Sequence, residues 1–109
     1  MIIDFNTLPF EKLPNFKGGE GFFEVQMYWD GNMRIMHGKL APGASIGLHT
    51  HEGNCEILFL IHGTATLLES NQQKVLQAGQ CTYCPNGYAH SLINTGSEEV
   101  EFYAAVPKQ

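Results

Sequence analysis

Residues 43–63 read GASIGLHTHEGNCEILFLIHG. His49 and His51 are two positions apart. Side chains on a β-strand alternate between faces, so a strand here projects both imidazoles from one face. Glu52-Gly53-Asn54 is turn chemistry. A turn at that point brings Glu56 back beside the two histidines, at the start of a second strand. Two imidazoles and one carboxylate on adjacent strands make three-quarters of a metal site. The fourth ligand has to come from elsewhere in the chain, and His90 is the candidate.

The same style of reading extends outward from this stretch. Phe22 to Trp29, FFEVQMYW, is rich in β-formers, and Asp30-Gly31-Asn32 after it is a hairpin signal. Met33 to Leu40 is the return strand. Glu56–Ile61 and Thr64–Glu69 form a strand pair pivoting near His62-Gly63. Beyond them, Ser70 to Gln73 reads as a polar turn and Lys74 to Leu76 as a short strand. Three more strands follow at Gln80–Cys84, His90–Asn94 and Glu99–Val106. No segment holds a 3.6-residue apolar period over ten residues. Short strands at intervals of about 8–12 residues, separated by turn signals, indicate an all-β sandwich or barrel. Residues 22–109 make up that body. Residues 1–21, with Pro9, Pro14 and Gly18-Gly19, read as an extended N-terminal arm lying on it, with one short helical turn. The arm's aromatics need cover, from the body's own outer face or from a second subunit.

Composition narrows the function classes. The chain has 109 residues, which fits one domain, and an apolar fraction of 43%. Its formal charge is −5, with six Lys and Arg in all and no basic run. Nucleic acid, which needs basic contacts to phosphate, is excluded as a partner. No apolar run reaches the ~18 residues of a membrane span. The N-terminus lacks a basic region and carries Asp4 early, unlike a secretory signal, so the expected location is cytoplasmic. Three cysteines argue against a disulfide framework. Cys81 and Cys84 form a C-x-x-C, open to a redox or zinc reading. The favoured reading is two small apolar residues on opposite faces of one strand.

Two sets of residues resemble a known family. Gly43, His49, His51, Glu56 and Gly63 stand in the pattern G-x5-H-x-H-x4-E-x6-G. Gly79, Pro85, Gly87, His90 and Asn94 stand in G-x5-P-x-G-x2-H-x3-N. These look like the first and second motifs of the cupins, with a short intermotif stretch as in small single-domain bacterial members. Gln80 departs from the Asp that many members carry, at a turn rather than at the site. The resemblance implies a cupin-type jelly-roll β-barrel, the double-stranded β-helix, open at one end. It implies His49, His51, Glu56 and His90 as metal ligands. It also implies a homodimer, which would cover the aromatic arm.

Three imidazoles and a carboxylate suit Mn, Fe, Co, Ni, Cu or Zn as divalent ions, and not Ca²⁺. Without a metal, the four side chains would have to satisfy one another's hydrogen bonds; a metal kept for stability alone is a further reading. Gly47 is expected to leave room beside His49. Strand parity puts Leu58 and Leu60 inward with Glu56, and Leu92 and Asn94 inward with His90. On the strand 33–40, Leu40 favours Arg34, Met36 and Gly38 as its inward companions. Arg34, the only arginine, would clamp a substrate carboxylate if inside; the favoured reading is a solvated charge. Tyr88 is a second candidate contact at the rim, against a packed loop aromatic. His37 and His62 lack metal spacing. The expected function is a metalloenzyme acting on a small organic molecule in a mostly apolar pocket, with dioxygenase-type oxidation favoured. The alternatives are a non-catalytic binding module for a small ligand, and a metal-dependent isomerase, decarboxylase or lyase.

Overall fold

A computed structural model describes residues 1–109. Ten strands form two antiparallel sheets that pack face to face. The six-stranded sheet runs β1 (Glu11–Pro14), β2 (Phe22–Trp29), β3 (Met33–Leu40), β10 (Val100–Pro107), β5 (Glu56–His62) and β8 (Cys81–Cys84). The four-stranded sheet runs β4 (Ser45–Thr50), β9 (Ala89–Ile93), β6 (Thr64–Glu69) and β7 (Gln72–Gln77). The strand spacing predicts an all-β sandwich or barrel, and the fold is the jelly roll that the resemblance implies, with the two sheets not joined into one closed hydrogen-bonded ladder.

Alternation along each strand decides which side chains enter the core. On β10, Val100, Phe102, Ala104 and Val106 are buried, and Tyr103 faces out. On β5, Leu58 and Leu60 are buried beside Glu56, and on β9 Leu92 lies with His90, as parity predicts. Asn94 is 1% exposed and donates to the carbonyls of Leu40 and Glu98. Met36, Gly38 and Leu40 are the inward set of β3. Gly38 is required by close approach: a Cβ there would lie 2.5 Å from the Phe102 ring and 2.6 Å from the Phe23 ring.

The hairpin at Asp30 is capped by its carboxylate, which accepts from the amides of Asn32 and Met33 at 2.9 Å each. The expected four-residue turn at 70–73 is shorter than the sequence suggests. Ser70 and Asn71 both adopt left-handed φ, 50° and 60°, and Glu69 already pairs with Gln72. Two left-handed residues match the strand twist, so the ladder runs up to the turn and β7 begins at Gln72.

The arm is partly strand. Glu11–Pro14 pairs antiparallel with β2, and Phe16–Gly18 forms a single 3₁₀ turn. Residues before β1 lie on the outer face of the six-stranded sheet. Phe5 packs 5.5 Å from the Tyr103 ring, Phe10 packs 5.6 Å from His37, and the Gln26 amide donates to the carbonyls of Phe5 and Leu8. The body's own face therefore covers these aromatics. His37 is buried beneath them, between Gln26 and Glu101, and stands apart from the other histidines.

Candidate metal centre

β4 carries His49, His51 directly follows its last residue Thr50, β5 opens with Glu56, and β9 carries His90 opposite His49 in register. One ligand atom from each of these four residues falls in a group no more than 4.8 Å across. The His90 Nε2 lies 2.9 Å from Glu56 Oε1, His51 Nε2 lies 3.0 Å from His90 Nε2, and His51 Nε2 lies 3.7 Å from Glu56 Oε1. Donors about 2.1 Å from a shared ion stand ~3 Å apart when adjacent and ~4.2 Å when opposite. The separations among His51, Glu56 and His90 lie within that range, and the widest spacing in the group, at most 4.8 Å, is slightly beyond it.

The ring orientations point the same way. The His49 Nδ1 donates to the Gly47 carbonyl at 2.7 Å, and the His51 Nδ1 donates to Asn54 Oδ1 at 2.6 Å. An Nδ1 proton held by an acceptor leaves the Nε2 lone pair free, which is the tautomer a metal needs. His51, Glu56 and His90 are buried. Burial pushes the His49 imidazole below its ordinary value, and the nearby His90 and His51 add to this. The Gly47 carbonyl and Glu56 oppose it. His90 Nδ1 is buried with no partner. The cluster therefore offers three imidazoles and one carboxylate that fit a divalent transition ion.

A cavity of about 110 Å³ is lined by three of the donors, His49, His51 and Glu56. Phe23, Met27, Met36 and Phe102 form its apolar walls, and Arg34, Lys17 and Asn54 are polar groups on its lining. Arg34 is not the solvated charge expected of it. It is half-buried, its guanidinium lies 4.7 Å over the Trp29 ring, and its Nε has neither solvent nor partner. Inward parity on β3 and the Trp29–Arg34 pairing in the β2–β3 ladder hold it there. Tyr88 is brought elsewhere: its ring is 59% exposed and lines an outer groove with Leu48 and Leu68. Only its backbone serves the centre, its carbonyl accepting from the His51 amide at 2.9 Å.

Three features escape a reading of spacing alone. Asn54 sits in a turn whose composition signals only a turn, yet its side chain orients His51. Lys17 reaches the cavity from outside the strand pattern. Gly47 makes room for the backbone of Lys17 and Gly19 rather than for His49: a Cβ on Gly47 would run into the Lys17 carbonyl and lie 2.7 Å from the Gly19 nitrogen. Cys81 is exposed and Cys84 buried on β8, the opposite-face arrangement expected. Burial pushes the Cys84 thiol up to about 11, with Glu56 adding to it.

Comparison with known proteins agrees with this geometry. Residues 36–106 match the family described as Cupin domain. The chain is 32% identical over 114 residues to the Oxalate-binding protein of Thermotoga maritima, covering 97% of this chain and 93% of that one. It superposes with a TM-score of 0.93 on a crystal structure of a predicted oxalate decarboxylase from the same organism, at 29% identity and with full coverage of both chains. An RmlC-like cupin from Shewanella frigidimarina shares the fold, with a TM-score of 0.81 at 14% identity, covering 99% of this chain and 90% of that one.

Proposed function

The chain belongs to the cupin family, and from that membership we propose that it binds a small carboxylate of the oxalate class at a divalent transition metal held by His49, His51, Glu56 and His90. The observation that carries this reading is the unpartnered Arg34 Nε in the wall of a cavity that His49, His51 and Glu56 also line. A buried guanidinium N–H without an acceptor is costly, and a ligand carboxylate is the acceptor that matches it. Size supports the same class. An apolar cavity of about 150 Å³ holds benzene, a ligand of six heavy atoms. The cavity here is about 110 Å³, so it suits a ligand no larger than that. Oxalate has six heavy atoms. The relative named for oxalate binding adds support.

When bound, a divalent ion supplies Lewis acidity and open coordination positions. The chain's residues do the rest. Gly47 and Asn54 fix the tautomers of His49 and His51, and Arg34 neutralises ligand charge in a wall shielded from water. Binding is the reading put forward. Decarboxylation of oxalate needs a proton delivered to carbon, and Lys17 is the one acid on the lining besides the donor residues. Oxidation by dioxygen is the second reading, supported by the apolar wall of Phe23, Met27, Met36 and Phe102. We further propose a homodimer, formed through the exposed aromatic face of the six-stranded sheet.

The test is calorimetric titration of oxalate into manganese-loaded protein, beside His51→Ala and Arg34→Gln. Saturable binding is expected, abolished in the first variant together with the metal. Removal of a charge-assisted contact should weaken it about tenfold or more in the second. A metal-loaded protein that shows no heat with oxalate overturns the reading. Dioxygen uptake or formate production by the same sample moves the function from binding to catalysis.

A further inference from the structure

The chain is acidic overall and has six Lys and Arg. Lys39 lies beside Glu99 and Lys74 beside Glu69, at 4.0 and 2.8 Å. Lys12, Lys17, Arg34 and Lys108 have no carboxylate partner, and of these Lys17 and Arg34 line the cavity that His49, His51 and Glu56 also line. Two unmatched cations on one small cavity of an acidic protein is an arrangement that a neutral ligand does not explain.

Lys17 is held there by an unusual backbone. Asn15, Lys17 and Gly18 all have left-handed φ, at 49°, 56° and 81°. A lysine in that region is strained. The surroundings over-determine it. The Asn15 side chain donates to the Gly19 carbonyl at 3.0 Å, and the Gly18 and Gly19 amides donate to the carbonyls of Asn15 and Phe16 at 3.0 Å each. The strap lies backbone to backbone on β4, in a notch that exists because Gly19 and Gly47 have no Cβ. The ammonium rests 5.5 Å from the Phe16 ring, and that ring packs 5.2 Å from Phe23 in the cavity wall. Strain that is retained at a site marks a residue whose position matters.

We propose that Lys17 is the specificity-determining residue of the site, presented by the 15–19 strap so that the cavity selects a dianion over a monoanion. The inference rests on the carboxylate reading above. Arg34 matches one negative charge from the β3 wall, and the exposed Lys17 matches a second from the 15–19 strap. A dicarboxylate engages both cations, whereas formate engages one.

The experiment titrates sodium oxalate and sodium formate into manganese-loaded protein, followed by calorimetry and by fluorescence of Trp29, the only tryptophan. Lys17→Asn removes the charge and keeps a side chain that tolerates left-handed φ, so the strap stays seated. Oxalate affinity should fall about fivefold, the effect of one partly exposed charge pair, with formate unchanged. Lys17→Arg should keep the wild-type ratio of the two affinities. In the wild type, raising NaCl should lower oxalate affinity more steeply than formate affinity, a readout that needs no substitution. Loss of both affinities in step, or no loss of oxalate affinity in Lys17→Asn, overturns the assignment to Lys17. Should Arg34→Gln weaken oxalate while Lys17→Asn does not, the Lys17 inference alone fails. Should the wild type bind neither anion, the carboxylate reading fails and takes this inference with it.

Discussion

Asn54 is where a metal centre and a mere cluster of histidines make different demands. A cluster satisfied by its own hydrogen bonds would tolerate loss of the Asn54 acceptor by turning His51. A metal ligand needs that Nδ1 proton held. Asn54→Leu is therefore expected to weaken metal affinity about 10- to 100-fold, measured by competition with a chromophoric chelator, while the fold persists. Affinity equal to wild type would show that Asn54 does not set the His51 tautomer. A second prediction at this scale concerns the thiols. Cys84, held to about 11 by burial, stays protonated at neutral pH, and Cys55 is buried. Because the thiolate is the nucleophile, iodoacetamide at pH 8 should label Cys81 alone, and mass spectrometry should find one adduct. Two or three adducts on native protein would contradict the burial of Cys55 and Cys84. Strand parity and a turn made His49, His51 and Glu56 legible in the sequence, whereas His90 stood only as a candidate until the resemblance of the second motif gave it a place. Asn54 was not, since its role depends on the direction of one ring nitrogen. Arg34 was half legible: parity placed it inward, but its shelter under Trp29 depends on the register of β2 against β3.

At the scale of elements, strands were readable wherever apolar and polar residues alternate. β2 and β3 have the bounds that their composition suggests. β7 does not, because Gln72 and Gln73 look like turn residues, and only the left-handed pair Ser70–Asn71 shows that the turn ends sooner. The sequence shows the 15–19 strap only as an arm with one short helical turn, for a similar reason. Its seat is made by two glycines 28 positions apart (47 − 19) that become one notch only once β4 is placed. This seat makes a prediction about coupling. Gly47→Ala forces the Lys17 and Gly19 backbone away, and Gly19→Ala does the same to Ser45 and Gly47. Each should lower stability in urea unfolding by about 1–3 kcal/mol, the usual cost of overpacking. The double variant should lose clearly less than the two losses added, since an undocked strap leaves the second Cβ nothing to meet. Simple additivity would mean that the two glycines serve separate contacts.

The whole molecule carries the last prediction. Exposed apolar residues are ordinary when scattered, but on the outer face of the six-stranded sheet they are contiguous. Tyr103 pairs with Phe59 across β10 and β5, Phe59 pairs with Cys81, and Ile57 pairs with Tyr83. Phe59 is 52% and Tyr83 55% exposed, and neither β5 nor β8 places a charged side chain on that face. The arm covers the neighbouring strip above His37 and stops at Tyr103. A two-fold pairing of this face with its own copy would remove the patch from water on both chains. A standard interface covers about 800 Å² on each partner, roughly an eighth of the 6293 Å² surface of this chain. Light scattering should therefore give twice the 12.1 kDa mass of one chain. Phe59→Glu should give a single-chain mass, because a carboxylate would be buried without a partner at the centre of the interface. The substitution points away from the cavity, so metal content should not change. A wild-type mass of one chain at micromolar concentration would refute the dimer and leave the aromatic face for a partner of another kind. A dimer that survives Phe59→Glu would place the contact elsewhere on the molecule.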